Sequence, residues 1–119
     1  MTLPDLAARL GWRALTPQVQ PGGDVTAGYV SDLLSDVLAN APAGGVLVTV
    51  QVHLNVIAVA VHAELAGVVF ALGREPEEAV RAKAAEEGIA LYVSDAPAFE
   101  LVGRLYELGV RGTPARPPV

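Results

Sequence analysis

Four times along this chain an apolar run ends in a polar cluster, and a helical pattern starts on that cluster. Gly28-Tyr29-Val30 runs into Ser31-Asp32, with Leu33, Leu34, Val37 and Leu38 recurring behind it at helical spacing. Residues 46–50, nearly all Val and Leu, run into Gln51-Val52-His53-Leu54-Asn55. Residues 68–72 run into Gly73-Arg74-Glu75-Pro76, and residues 89–93 into Ser94-Asp95-Ala96-Pro97. Short β-branched runs of this kind suit strands covered on both faces. Helical patterns between them suit βαβ crossovers, which are right-handed and bring the strands in parallel. The predicted fold is therefore α/β: a mainly parallel sheet of four to five strands with helices on both faces.

Boundaries follow from the punctuation. Thr2 caps a first helix with Pro4 in its first turn, and Gly11 ends it. Residues 12–15 make a short strand, and the Pro- and Gly-rich stretch 16–23 a loop. Strand 25–30 precedes a helix capped by Ser31 that runs to about Asn40. A largely buried helix covers 55–65, broken by Gly67. Pro76 opens a helix that runs to Glu87, with Gly88 at its C′ position. The last helix covers 96–108. One domain, residues 1–111, is expected, with a flexible Pro-rich tail over 112–119.

Composition narrows the partners. The 119 residues suit one domain, and 52% are apolar but only 5% aromatic, so Val, Ala and Leu build the core. Eight basic against thirteen acidic residues leave a net charge of −5, the wrong sign for a phosphate backbone or an anionic lipid surface. Nucleic acid is not an expected partner. Cysteine is absent, which removes disulfides, thiolate catalysis and zinc–cysteine sites. Residues 37–63 carry no Asp, Glu, Lys or Arg, yet their longest purely apolar piece is 56–61, far below a membrane span. Asp5 and Arg9 rule out a secretory signal in the first turns. A cytoplasmic domain without a membrane or cofactor is the expectation.

In a parallel sheet all four polar clusters reach one rim, where open α/β sheets bind ligands. Ser31 and Asp32 either meet a ligand or cap the following helix and complement its dipole. Gln51, His53 and Asn55 alternate with Val52 and Leu54. In an extended segment they share one side and suit a base edge or an amide; as a turn they are caps. Gly73 and Arg74 before a helix N-terminus form the anion candidate, with an Arg74 salt bridge to Asp32 or Asp95 as the alternative. Ser94 and Asp95 repeat the Ser31-Asp32 arrangement. His53 and His62 do not have a recognised metal spacing, so no metal is expected. No Gly-x-x-x-x-Gly-Lys-Ser/Thr loop and no Gly-x-Ser-x-Gly elbow occur. An enzyme using His53 as acid or base would need a carboxylate in hydrogen-bond reach.

The ordered set 28–40, 51–60, Gly73-Arg74-Glu75-Pro76 and Leu105-Tyr106-Glu107-Leu108-Gly109 resembles the small stand-alone DRTGG-domain proteins over about residues 2–110. Related domains occur in phosphate acetyltransferases and CBS-containing pyrophosphatases, and a similar fold begins HPr kinase/phosphorylase. Where that family has Asp-Arg, His53 and Asn55 stand nearby; where it has Thr-Gly-Gly, this chain has Leu72-Gly73-Arg74. The resemblance implies a small α/β domain, often at dimer interfaces, with a regulatory or ligand-sensing part rather than a catalytic one. Three functions are carried forward. The first is a non-catalytic module binding a small anionic ligand, possibly a nucleotide, at the rim. The second is a homodimeric interaction domain docking onto a larger metabolic or redox enzyme. The third is the His53 enzyme.

Overall fold

The computed structural model of the protein describes residues 1–113, so residues 114–119 of the expected tail lie outside the described residues. Five strands form one sheet in the order β1-β5-β4-β3-β2. They are β1 (Arg13–Ala14), β2 (Gly28–Val30), β3 (Val46–Thr49), β4 (Gly67–Phe70) and β5 (Ala90–Val93). The last four run parallel, in the registers Gly28↔Val46, Val46↔Gly67 and Gly67↔Ala90. Only β1 is antiparallel, with Arg13 opposite Val93. The expected α/β fold, mainly parallel sheet and helices on both faces are all present.

Side-chain alternation divides the core in two. On one face Leu47, Val68, Phe70, Leu91 and Val93 meet Val37, Val56, Ile57, Ala60, Val80 and Ala84. Those partners belong to α2 (Leu34–Asn40), α3 (Asn55–His62) and α4 (Glu78–Glu87). On the other face Val46, Val48, Val69, Ala71, Ala90 and Tyr92 meet Leu3, Leu6, Ala7, Leu101 and Leu105. These come from α1 (Leu3–Leu10) and α5 (Ala98–Glu107). Every residue of β3, β4 and β5 is buried, which explains why those strands read as unbroken apolar runs.

Several boundaries differ from the sequence reading, each for a local reason. α1 has the expected Thr2 cap, as a full capping box with Asp5, and ends at Gly11 with φ 73°. Gly88 likewise ends α4 in the left-handed conformation. By contrast, Gly67 does not break α3. The chain turns at Glu64, a left-handed residue with φ 54°, and Gly67 is the buried first residue of β4. A Cβ there would sit 2.6 Å from Ala90 O and collide with Leu3 Cδ2, so the position needs glycine for close packing. Ser31 does not cap α2, which starts three residues later behind Leu33. Pro76 and Ala96 lie ahead of their helices, which open behind Glu77 and Pro97.

Candidate functional site

The carboxyl ends of β2, β3, β4 and β5 share one rim, and the polar clusters follow them there. Most of those side chains are engaged in local turns. Ser31 Oγ accepts from Leu33 N at 3.2 Å, and Ser94 Oγ accepts from Ala96 N at 3.2 Å. These are Ser turns, not helix caps. Asp32 Oδ1 accepts from the buried Thr49 hydroxyl and from Val50 N, both at 2.8 Å. Asp32 therefore straps β2 to β3 with the oxygen that a ligand would otherwise use.

The segment after β3 is a turn rather than an extended strand, so Gln51, His53 and Asn55 do not line up on one side. Instead each acceptor serves the backbone two residues on. Thr49 Oγ1 accepts from Gln51 N at 3.0 Å, Gln51 Oε1 from His53 N at 3.2 Å, and His53 Nδ1 from Asn55 N at 3.1 Å. Asn55 is the first residue of α3, behind Leu54, rather than its cap. The relay fixes two orientations. With Gln51 Oε1 accepting, its NH2 group is left as a donor. With His53 Nδ1 accepting, the proton of the neutral ring sits on Nε2.

The anion cradle expected at Gly73-Arg74 is not formed. Leu72 and Gly73 have φ of 60° and 65°, a curved backbone of the kind that cups anions. Their N–H groups, however, donate to Ala96 O at 2.9 Å and Ser94 O at 2.8 Å, and Arg74 N donates to Ala71 O. These bonds also close the crevice between the loops after β4 and β5, which part toward opposite faces of the sheet. That divergence is where an open sheet ordinarily binds a ligand. Asp95 packs against this stitch, with Oδ1 3.1 Å from where a Cβ on Gly73 would lie. Arg74 is exposed and pairs with neither Asp32 nor Asp95; it forms no ion pair among the described residues. Its neighbour Glu75 is the paired residue, 3.3 Å from Arg13 and 3.7 Å from Arg81.

What remains open at the rim is a hollow of about 390 Å³ on the α3–α4 side. Gln51, Val52, His53 and Leu54 line it from the turn after β3, and Glu77, Ala79 and Val80 from the start of α4. Among its lining residues, the Gln51 NH2, the His53 Nε2–H and the Glu77 carboxylate are not used by the relay or by an ion pair among the described residues. No hydrogen bond joins His53 to a carboxylate among the described residues, as an acid–base pair would require. In the sequence Glu77 stands at the start of a helix, where a carboxylate is explained by the helix dipole alone. Its place in the hollow follows from β3 and β4 being neighbours, which a single sequence leaves open. Thr49 was also missed, although a hydroxyl inside a run of Val and Leu marks it out.

A second concavity lies on the α5 side of the sheet. Val30, Ala98, Phe99, Val102, Gly103 and Tyr106 line an open trough between β2 and α5. It adjoins a cleft of about 260 Å³ that includes Tyr29, Leu105, Val110 and Arg111. Phe99 is 86% exposed, Tyr106 55% and Val30 52%. Large apolar groups gathered on one face mark an interaction surface more often than isolated ones do. Arg111 donates to Tyr106 O and stacks over its ring 3.8 Å from the centroid, while Gly28 N donates to Arg111 O. Among the described residues no helix is long and apolar enough to cross a membrane, and no cluster of three or more His, Asp or Glu is placed to hold a metal.

No family model matches the sequence, and no curated protein does. The fold is similar to a solved structure: the CBS and DRTGG domains of the regulatory region of Clostridium perfringens pyrophosphatase, complexed with an activator, diadenosine tetraphosphate. The TM-score is 0.68 over 87% of this chain at 11% identity. At that identity the likeness establishes a related fold and leaves the DRTGG assignment open. The chain spans 45% of the length of that structure's chain. The similar structure is a regulatory region.

Proposed function

We propose that this chain is a non-catalytic regulatory module that senses a small ligand at the carboxyl rim of its sheet. The observation that carries the reading is the hollow beside α4, lined by Gln51, His53 and Glu77, in which the relay occupies Gln51 Oε1 and His53 Nδ1 and leaves their side-chain N–H groups unused. Concave sites with a few convergent polar groups over apolar walls are the usual form of a ligand pocket. The activator nucleotide of the structurally similar pyrophosphatase region supports a sensing role. The chemistry of the hollow changes one part of the expectation. Glu77 repels an anion, and the N–H groups of Gly73 and Arg74 are already used, so the ligand group held here is not an anion.

Thermal shift against a panel of nucleosides, nucleotides and small amides tests this. A ligand that raises Tm of the wild type and not of Ala79→Trp supports the reading, because Ala79 is exposed and a Trp there fills the hollow. Equal shifts in both proteins, or none at millimolar ligand, refute it.

A second reading, assembly into a homodimer, is favoured by the α5–β2 face. Phe99 is a knob beside a trough floored by Gly103, where no atom lies within 4 Å of a built Cβ. In an isologous pair each Phe99 enters the partner's trough. Docking of the same face onto a larger enzyme is the competing use of this surface.

A further inference from the structure

Resting on the ligand-sensing reading, the geometry points to a guanine base as the group held in the rim hollow. Among the residues that line the hollow, Gln51 and His53 each keep an N–H donor that is not used in the relay, and Glu77 brings a carboxylate acceptor. Val52, Leu54, Ala79 and Val80 supply apolar walls. A flat heterocycle fits that description better than a sugar, whose faces are polar.

Among the bases, the pattern selects one. Guanine carries two adjacent donors, N1–H and the N2 amino group, which a carboxylate accepts side by side. Its O6 and N7 acceptors then face the donors of an amide and an imidazole. Adenine gives a carboxylate only its N6 amino group along one edge. Cytosine and uracil likewise give a single donor. A free phosphate or an isolated carboxylate would face Glu77 with like charge. No ion pair neutralises Glu77 among the described residues, and no side-chain hydrogen bond from it caps α4, so both oxygens are available. The walls come from elements fixed by the core, since Val80 is buried against the sheet.

The test is calorimetric titration of wild type and Glu77→Gln with guanosine, adenosine, cytidine and inorganic phosphate. Glu77 is exposed, so the substitution leaves the fold intact, which circular dichroism confirms. The expected result is a guanosine affinity above that of the other three, lowered at least about tenfold in Glu77→Gln. Adenosine loses less, because an amide oxygen still accepts from its amino group. Phosphate binding best, or guanosine binding unchanged in Glu77→Gln, overturns the guanine assignment and leaves a sensing site of other chemistry. No heat with any of the four overturns the guanine assignment; if the Ala79→Trp comparison is also silent, the sensing reading falls with it.

Discussion

Asp32 accepts two hydrogen bonds on one oxygen, and one of the donors is the hydroxyl of a buried Thr49. Truncation to Ala leaves that hydroxyl and Val50 N to find new partners at a strand end. Leaving buried donors unpaired costs about 1–3 kcal/mol, and Asp32→Ala is expected to lower stability by that amount in urea unfolding. Asp32→Asn keeps an acceptor oxygen and should lose markedly less. Arg74 is the contrast. It has no ion pair among the described residues and is exposed, so Arg74→Ala should shift stability by under about 0.5 kcal/mol in the same experiment. The two results together would establish which rim charge holds the fold and which is free for other use.

At the scale of elements, β4 depends on its first residue. Gly67 lies under Leu3 of α1 and against Ala90 O of β5. Gly67→Ala pushes α1 off the sheet and should cost about 1–3 kcal/mol, typical of overpacking in a close-packed core. Chemical denaturation measures it directly. α2 responds to acid instead. The neighbouring Ser31 and Tyr29 hydroxyls and the Asn40 amide lower the Asp36 carboxyl from its ordinary 3.8. A carboxyl depressed in the folded state binds fewer protons there than in the unfolded chain. Its stabilisation is present above 3.8 and is lost as pH falls through the depressed value. Asp36→Asn should therefore flatten the acid side of a stability–pH profile and leave the neutral side unchanged in slope.

Strands β3, β4 and β5 were legible because burial on both faces demands a nearly continuous apolar run, and sequence shows that directly. The Thr2 cap was legible because Thr2 and Pro4 act only on their own turn, while the reciprocal bond from Thr2 N to Asp5 emerged only in the structure. Rim chemistry was not legible in the same way. Ser31, Gln51, His53 and Ser94 serve a backbone N–H two residues on, and a polar residue so engaged looks identical in sequence to one facing a ligand. Neither reading of Arg74, anion contact or salt bridge to Asp32 or Asp95, is formed; the ion pairs at this turn belong to its neighbour Glu75, whose partners Arg13 and Arg81 come from distant or later elements. Glu64 likewise ended a helix with a left-handed residue that a search for glycine passes over.

At the scale of the molecule the two functional readings use different surfaces, the polar rim hollow and the apolar α5–β2 trough. They lie toward opposite faces of the sheet, one beside α3 and α4 and the other along α5, so ligand and partner need not compete. The homodimer reading gives a sharp expectation. Light scattering should show a dimer for wild type and a monomer for Phe99→Asp, with unfolding of the variant little changed because the side chain is exposed. A wild-type monomer would assign the trough to a different protein. Residue-resolved NMR during guanosine titration tests the central claim most directly. Amide shifts confined to Gln51–Asn55 and Glu77–Val80 are the predicted result. Shifts gathered instead on Val30, Phe99 and Tyr106, or spread evenly over the sheet, would contradict the rim as the sensing site.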